Sequence, residues 1–291
     1  MPVTGCAAQP DATRTGSADA GGPRRLAPAK AVLLGATMLA QSEHSDDAVT
    51  TAESASQMTP ATSVGLVSIV VLNWNTLRTT QRCLAHIRKY TDVPYELIVV
   101  DNGSLDGSCQ ALRSESDIHL ISLPTNRGFA GGNNAAVATA KGRFLCLLNS
   151  DSFVTKGWLR KLLACMERSG ADMVGPCTNA AKGRQRYGLR LRGLLPDPFR
   201  KTEAVDYLSF FCILMRTQLY RDIGGLDERF GLGMFEDDDF CKRARACGAQ
   251  LVIDGKTWVW HEGHATMNAN NVSHDGLLAT NKEVFLEKWT K

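Results

Sequence analysis

Four consecutive acids, Glu236-Asp-Asp-Asp239, stand just before Phe240, Ala244 and Cys247. That i, i+4, i+7 apolar stripe predicts a helix, and Gly248 is placed to end it. Acids in a first helical turn are favoured by the helix dipole. Capping accounts for one or two such carboxylates, not four. A second acidic point is Asn149-Ser-Asp151, directly after the apolar run Phe144-Leu-Cys-Leu-Leu148. A carboxylate there can offer oxygen to Mg²⁺ or Mn²⁺. A third point is Asn126-Arg-Gly-Phe-Ala-Gly-Gly-Asn-Asn134, which leads into an Ala-rich stretch. Backbone N–H groups at a helix start favour anions, and Gly128, Gly131 and Gly132 would let a ligand approach the chain. No Gly-Lys-Ser/Thr comes after it, and Gly103 with Gly107 does not complete G-x-G-x-x-G, so neither common nucleotide-loop signature is present.

These residues need a frame, and the pattern supplies one. Leu66-Val-Ser-Ile-Val-Val-Leu72, Tyr95-Glu-Leu-Ile-Val-Val100, His119-Leu-Ile-Ser-Leu123 and Arg143-Phe-Leu-Cys-Leu-Leu148 read as strands. Helical spacing falls between or after them, over residues 76–90, 108–114, 131–140 and 157–169. Alternating strands and helices predict βαβ units in an α/β fold, and unbroken apolar runs suit parallel strands buried on both faces. Ligands of such sheets bind beyond the carboxyl ends of the strands. The four strands lead, in order, into Asn73-Trp-Asn75, Asp101-Asn-Gly-Ser104, Asn126 to Asn134, and Asn149-Ser-Asp151. One such turn is ordinary; four on one sheet edge predict a polar cleft.

The composition sets bounds. Of 291 residues, 44% are hydrophobic and 22% charged, which excludes collagen-like, coiled-coil and wholly disordered chains. A net charge of +3 lacks the basic excess of a nucleic-acid binder. Residues 1–65 contain no Phe, Trp or Tyr, so they bury too little to offset ordering and read as a disordered leader. Ala31-Val-Leu-Leu-Gly-Ala-Thr-Met-Leu-Ala40 is too short to span a bilayer. A cleaved signal, a plain leader and a start at Met58 stay open as readings of that region. The nine cysteines are odd in number, form no C-x-x-C pair and lie mostly in apolar runs. That pattern predicts buried free thiols in a reducing compartment.

In order along the chain, Val70-Val-Leu-Asn-Trp-Asn75, Val100-Asp-Asn-Gly-Ser-Leu-Asp-Gly107, Asn126-Arg-Gly-Phe-Ala-Gly-Gly-Asn133, Leu147-Leu-Asn-Ser-Asp151, Gly224-Gly-Leu-Asp-Glu-Arg-Phe230, Glu236-Asp-Asp-Asp239 and Val259-Trp-His-Glu-Gly263 resemble the motifs of family 2 glycosyltransferases. The rhamnosyltransferase-like branch is the most similar. The resemblance implies a GT-A fold, a Rossmann-like, mostly parallel sheet flanked by helices, over residues 66–291. Residues 66–170 would form the nucleotide-sugar half and 171–291 the acceptor half.

It also implies roles. Asp101 would receive the base or ribose, with Asn73, Asn75 and Ser104 bordering that pocket. Asn126, Gly128, Asn133 and Asn149 would line the rest of the nucleotide-sugar site. Asp151 would hold Mg²⁺ or Mn²⁺, with His261 as a further metal or diphosphate contact and His264 its competitor. Asn149 departs from the two-carboxylate version of the motif, which weakens the metal site by one charge. Asp237 would be the catalytic base, Glu236 the alternative base, and Asp239 would orient the acceptor or the helix.

The activity so implied is inverting transfer of a sugar from a nucleoside-diphosphate donor to a hydroxyl. The acceptor would be a glycan, polysaccharide or lipid-linked saccharide, with no nucleic-acid partner. dTDP-rhamnose and UDP-sugars are the donors to try first. A non-catalytic nucleotide-sugar or glycan binder and a nucleotidyltransferase are the competing readings. The latter would want a Gly-rich basic loop where Asn73-Trp-Asn75 stands. Lys182, Arg184, Arg186, Arg190, Arg192, Arg200 and Lys201 form a basic stretch. It is either a solvated loop or a contact for diphosphate, an anionic acceptor or a membrane surface. A cytoplasmic protein, at the inner face of the membrane when bound there, is the matching expectation.

Overall fold

The computed structural model describes residues 65–187 and 200–290. The leader, its apolar stretch 31–40, Met58, Cys6, Arg190 and Arg192 lie outside the described residues.

The first half agrees with the βαβ expectation. β1 (Val67–Asn73), β2 (Tyr95–Asn102), β3 (His119–Leu123) and β4 (Phe144–Asn149) pair in parallel in the order β3-β2-β1-β4. Alternate residues of β1 feed two cores. Val67, Ile69 and Val71 pack with Leu84, Ile87 and Trp158 on one face, while Val70 packs with Ile98, Val100 and Ala136 on the other. Both faces are therefore dry, which is why these runs are unbroken. The flanking helices are α1 (Leu77–Tyr90), α2 (Ser108–Arg113), α3 (Gly128–Val137) and α4 (Trp158–Ser169).

The strand order reverses at β1, since β2 and β4 lie on opposite sides of it. Register then aligns the strand ends: Asn73 sits opposite Asp101, and Leu72 opposite Asn149. The crevice expected at such a switch point falls beside these residues.

The second half adds antiparallel pairing to the sheet. β8 (Cys212–Arg216) runs antiparallel between β4 and β6 (Met173–Cys177), and β6 is parallel to β9 (Leu251–His261). A register shift at Pro176/Cys177 accompanies the loss of a ladder donor at proline. Beyond it β9 continues to β5 (Ser152–Val154), placing His261 opposite Ser152. β7 (Glu203–Val205) covers the other side of β9. The helices here are α5 (Thr217–Asp222), α6 (Glu236–Ala246), α7 (Ala265–Ala269) and α8 (His274–Trp289).

α6 ends as its sequence suggests. Gly248 is left-handed, with φ 85°, and the N–H groups of Gly248 and Ala249 return to the carbonyls of Arg245 and Ala244. That is the double bond pattern of a Schellman stop. α3 begins three residues before the expected start, because Asn102 and Asn126 build the turn that launches it. Asn102 Oδ1 accepts from Arg127 N (2.9 Å), and Asn126 Oδ1 accepts from Gly128 N (2.7 Å). Among the described residues all cysteines are free thiols, six of them buried. No helix among them is long and apolar enough to cross a membrane.

Candidate active site

A cavity of about 830 Å³ opens beyond the carboxyl ends of β1 and β4. Its wall brings together Asn149, Asp151, Glu236, Asp237 and His261. Asn126 and Gly128 also reach it.

The β5–β9 pairing makes the first cluster. His261 Nε2 lies 3.2 Å from Asp151 Oδ1, and Asp151 Oδ2 accepts from Ala265 N at 3.3 Å. His261 Nδ1 donates to the Ala180 carbonyl at 2.6 Å, and the ring stacks on Phe211 with centroids 5.1 Å apart. With the proton on Nδ1, a neutral imidazole presents its Nε2 lone pair to a carboxylate. That nitrogen is buried with no hydrogen-bond partner. A proton or a cation belongs between the two groups.

Burial pushes the Asp151 carboxyl up, but the facing imidazole and the Ala265 N–H outweigh it and hold the group below its ordinary range. Burial pushes His261 down, and Asp151 outweighs it, so the imidazole holds its proton above its usual pH. A carboxylate and an imidazole whose other nitrogen is tied to a backbone carbonyl fit a divalent cation. Among the described residues no third His, Cys, Asp or Glu completes a cluster. Diphosphate oxygens and water would have to complete the shell.

The second cluster is the start of α6. Its entry is strained, since Met234 and Phe235 both have left-handed φ (79° and 71°). Asn281 of α8 holds this entry by donating to the carbonyls of Phe230 and Gly233, each at 2.6 Å. Glu236 Oε2 is buried without a partner. Burial, and then the charge of Asp237, pushes the Glu236 carboxyl well up. Burial, and then Asp238, pushes Asp237 up as well, but less. Tyr207 Oη donates to its Oδ2 at 2.5 Å and Asp238 N to its Oδ1 at 2.9 Å, and both bonds favour the charged form. Carboxylates poised in this way suit general base work near neutral pH. Asp239 instead anchors the helix: it is fully buried, paired with Arg243 (2.8 Å) and Lys288 (2.6 Å), and accepts from Trp289 Nε1.

The remaining expected residues sit elsewhere. Asn73, Asn75, Asp101 and Ser104 are off the cavity wall and bond to one another. Asn73 Nδ2 donates to Asp101 Oδ1 (2.9 Å) and Ser104 Oγ (3.1 Å), its Oδ1 accepts from Thr80 Oγ1 (2.7 Å), and Asn75 N donates to Ser104 Oγ (3.0 Å). Asn75 Nδ2 also reaches Asn270 Oδ1 at 2.6 Å. Asn133 is buried and donates to the Phe129 carbonyl within α3.

Protein atoms already stand close to two glycines of the 126–134 loop. A Cβ on Gly128 would overlap the Gly231 carbonyl oxygen, and one on Gly132 would overlap Leu72 Cδ1. The N–H groups of Gly128 and Phe129 are spent on Asn126 Oδ1 and the Leu232 carbonyl, so they are not open to an anion.

Of the basic stretch, Lys182 pairs with Asp238, and Arg184 and Arg200 pair with Glu203. Arg186 lines the cavity. His264 also reaches the cavity and sits edge-on to His274, centroids 4.3 Å apart. Tyr207 and Asn281 belong to none of the sequence motifs. Their partners lie 30 and 51 residues away, and no local pattern marks them.

Comparison with known proteins bears on the fold and the family. The glycosyltransferase AglE of Haloferax volcanii is 23% identical over 198 residues, covering 64% of each chain. The S. aureus TarS 1–349 crystal structure superposes with a TM-score of 0.53 at 22% identity, covering 67% of this chain and 60% of that one. GalNAc-T7, crystallised with UDP, GalNAc and Mn²⁺, superposes with a TM-score of 0.56 at 14% identity, covering 68% and 44%. At these identities the structural likeness is one of fold, the GT-A fold. The chain spans about a quarter to just under two thirds of the length of the first curated relatives it matches. The sequence pattern of glycosyl transferase family 2 matches residues 68–224, more than half of the chain, and the protein belongs to that family.

Proposed function

We propose that this chain is an inverting glycosyltransferase that moves a sugar from a nucleoside-diphosphate donor to a hydroxyl acceptor. The observation that carries the reading is a single cavity lined by two unlike acidic centres. One is the Asp151–His261 pair, with a buried lone pair facing a carboxylate. The other is the Glu236–Asp237 pair, held towards protonation by burial.

Asp237 takes the proton of the acceptor hydroxyl as its oxygen bonds to the anomeric carbon. The bond from that carbon to the diphosphate oxygen breaks, and the electron pair leaves on the diphosphate. Displacement from the opposite face inverts the anomeric centre. Asp151 and His261 would hold Mg²⁺ or Mn²⁺, which when bound neutralises charge on the leaving diphosphate. The fold neighbour GalNAc-T7 was crystallised with UDP and Mn²⁺, which supports trying that donor class and that metal here.

Asn73, Asn75, Asp101 and Ser104 would act on the base mainly by fixing the shape of the strand ends. Near Glu236 the wall carries Leu232, Met234, Phe235 and Leu278. An apolar rim of this kind suits a saccharide on a lipid or other apolar carrier. Contact with a membrane through the basic stretch gains little support, since three of its side chains are spent on internal ion pairs.

A thermal-shift screen of UDP- and dTDP-sugars, with and without Mn²⁺, tests the reading. A donor at a hundred times its Kd should add about 2.7 kcal/mol of stability, a shift of several degrees. Release of nucleoside diphosphate with an acceptor should accompany it. Release of pyrophosphate from a nucleoside triphosphate would move the chain to nucleotidyl transfer. Donor binding without turnover over a broad acceptor panel would make it a binding homologue.

A further inference from the structure

Tyr207 bonds directly to the proposed base and belongs to none of the family motifs. Its hydroxyl donates to Asp237 Oδ2 at 2.5 Å, and both residues line the cavity. The phenol is itself held from several sides. The next residue, Leu208, is latched to α6: its N–H approaches Cys241 Sγ, and the thiol returns to the Leu208 carbonyl, each at 3.4 Å. Ser209 N donates to Gln185 Oε1 at 2.6 Å. Gly183 lies against the ring, where a Cβ would come within 3.3 Å of Cδ1. The Lys182 ammonium stands 5.0 Å from the ring centroid while pairing with Asp238. Tyr207 and Leu208 are thus fixed to the helix that bears the carboxylate, and Ser209 to Gln185.

We propose that Tyr207 is a positioning residue for transfer, which fixes the rotamer of Asp237 and keeps its carboxylate ionised so that it can accept the hydroxyl proton. This rests on the reading of Asp237 as the base. Tyr207 keeps its own proton throughout, since burial and then the charge of Asp237 push its phenol well above the usual range. In the step itself the acceptor O–H bond breaks and its proton goes to Asp237. The new bond joins the acceptor oxygen to the anomeric carbon, and the displaced pair leaves on the diphosphate.

The groups facing Asp237 are Glu236, Asp238 and Cys241 on α6, Lys182 from the segment after β6, and Tyr207 before β8. Of these, Lys182 and Tyr207 favour the charged form, and Tyr207 does so by a direct bond. Removing that bond should therefore move the titration of Asp237 to higher pH.

The test is Tyr207→Phe, read by carboxyl ¹³C NMR of the Asp237 resonance, assigned by its loss in Asp237→Asn. The apparent pKa should rise by about one unit. The acid limb of the kcat/KM profile should move the same way, and kcat should fall roughly tenfold or more. The assay is UDP release from UDP-N-acetylglucosamine, or dTDP release from dTDP-rhamnose, with octyl glucoside as acceptor. A titration and an acid limb that stay in place in a folded Tyr207→Phe protein would overturn the proposal. Should that variant fail to fold, 3-fluorotyrosine at position 207 keeps the ring and strengthens the donor, and the titration should then move to lower pH. No movement there is equally fatal. Asp237→Asn separates the two levels of the argument. If it retains full transfer, the base reading fails and takes this one with it. If it is inactive while Tyr207→Phe leaves the titration unmoved, only the role of Tyr207 fails.

Discussion

The two acidic regions of this molecule are built on opposite plans. At the ends of β1 and β2, Asn73, Asp101 and Ser104 satisfy one another, and Thr80 takes up Asn73 Oδ1. At the start of α6 and the end of β9, Glu236 Oε2 is buried with no partner, His261 Nε2 is buried against Asp151, and Glu236 and Asp237 are held towards protonation. Buried polar atoms are normally paired, so unpaired ones point to a missing ligand or to stored cost. The first region is internally satisfied. Under the proposed function, the second gives up stability for chemistry.

The largest test of that contrast is Asp237→Asn. It should lower kcat about a thousandfold, within the range expected for a general base, while donor affinity in the thermal-shift assay stays within about twofold. Next is Asp151→Ala, which should cost roughly ten- to a hundredfold in nucleoside-diphosphate affinity in Mn²⁺ and remove the difference between titrations with and without metal. Equal affinities with and without Mn²⁺ in the unaltered protein would take the metal from this pair.

In the first region the effect should be on stability. Asn73→Ala strands Asp101 and Thr80 in a buried site. It should cost about 2 kcal/mol, read as a lower urea midpoint. A thousandfold loss of turnover at unchanged stability would erase the distinction between the regions.

The smallest effect has the opposite sign. The Glu236 carboxyl titrates higher in the folded chain than in the unfolded one. Its ionisation therefore removes stability as pH rises from the ordinary carboxylate range through the raised value. Glu236→Gln should abolish that loss, making the variant the more stable protein above that window and no different below it. Thermal melts of both proteins from pH 4 to 9 would show the gap opening.

The same contrast explains what the sequence could disclose. β1, β2 and β4 are legible because burial on both faces leaves long apolar runs, and the edge strand β3 because its short apolar run stands between polar turns. β5 and β7 are three residues each, too short to carry a period. Asp151 and His261 could both be named from motifs, but their 3.2 Å approach depends on β9 passing the register shift near Pro176 to reach β5. The glycines of the 126–134 loop signalled close approach, and Gly128 and Gly132 do lie against protein atoms, but a glycine marks missing space without saying what fills it. Tyr207 and Asn281 have no local signature at all. Each serves a group brought close only by the finished sheet and its helices.

Gly128 has a consequence for engineering. Its contact with the Gly231 carbonyl, the Phe129 N–H bond to Leu232 and the double bond of Asn134 with the backbone of Leu226 form a seam between α3 and the approach to α6. A chimaera that keeps residues 66–170 and imports the rest, the proposed acceptor half, must import a bare backbone turn opposite Gly128 and an exposed peptide group opposite Asn134. Without both, the two halves would meet out of register and the imported base would miss the sugar, however well each parent had bound its own substrate.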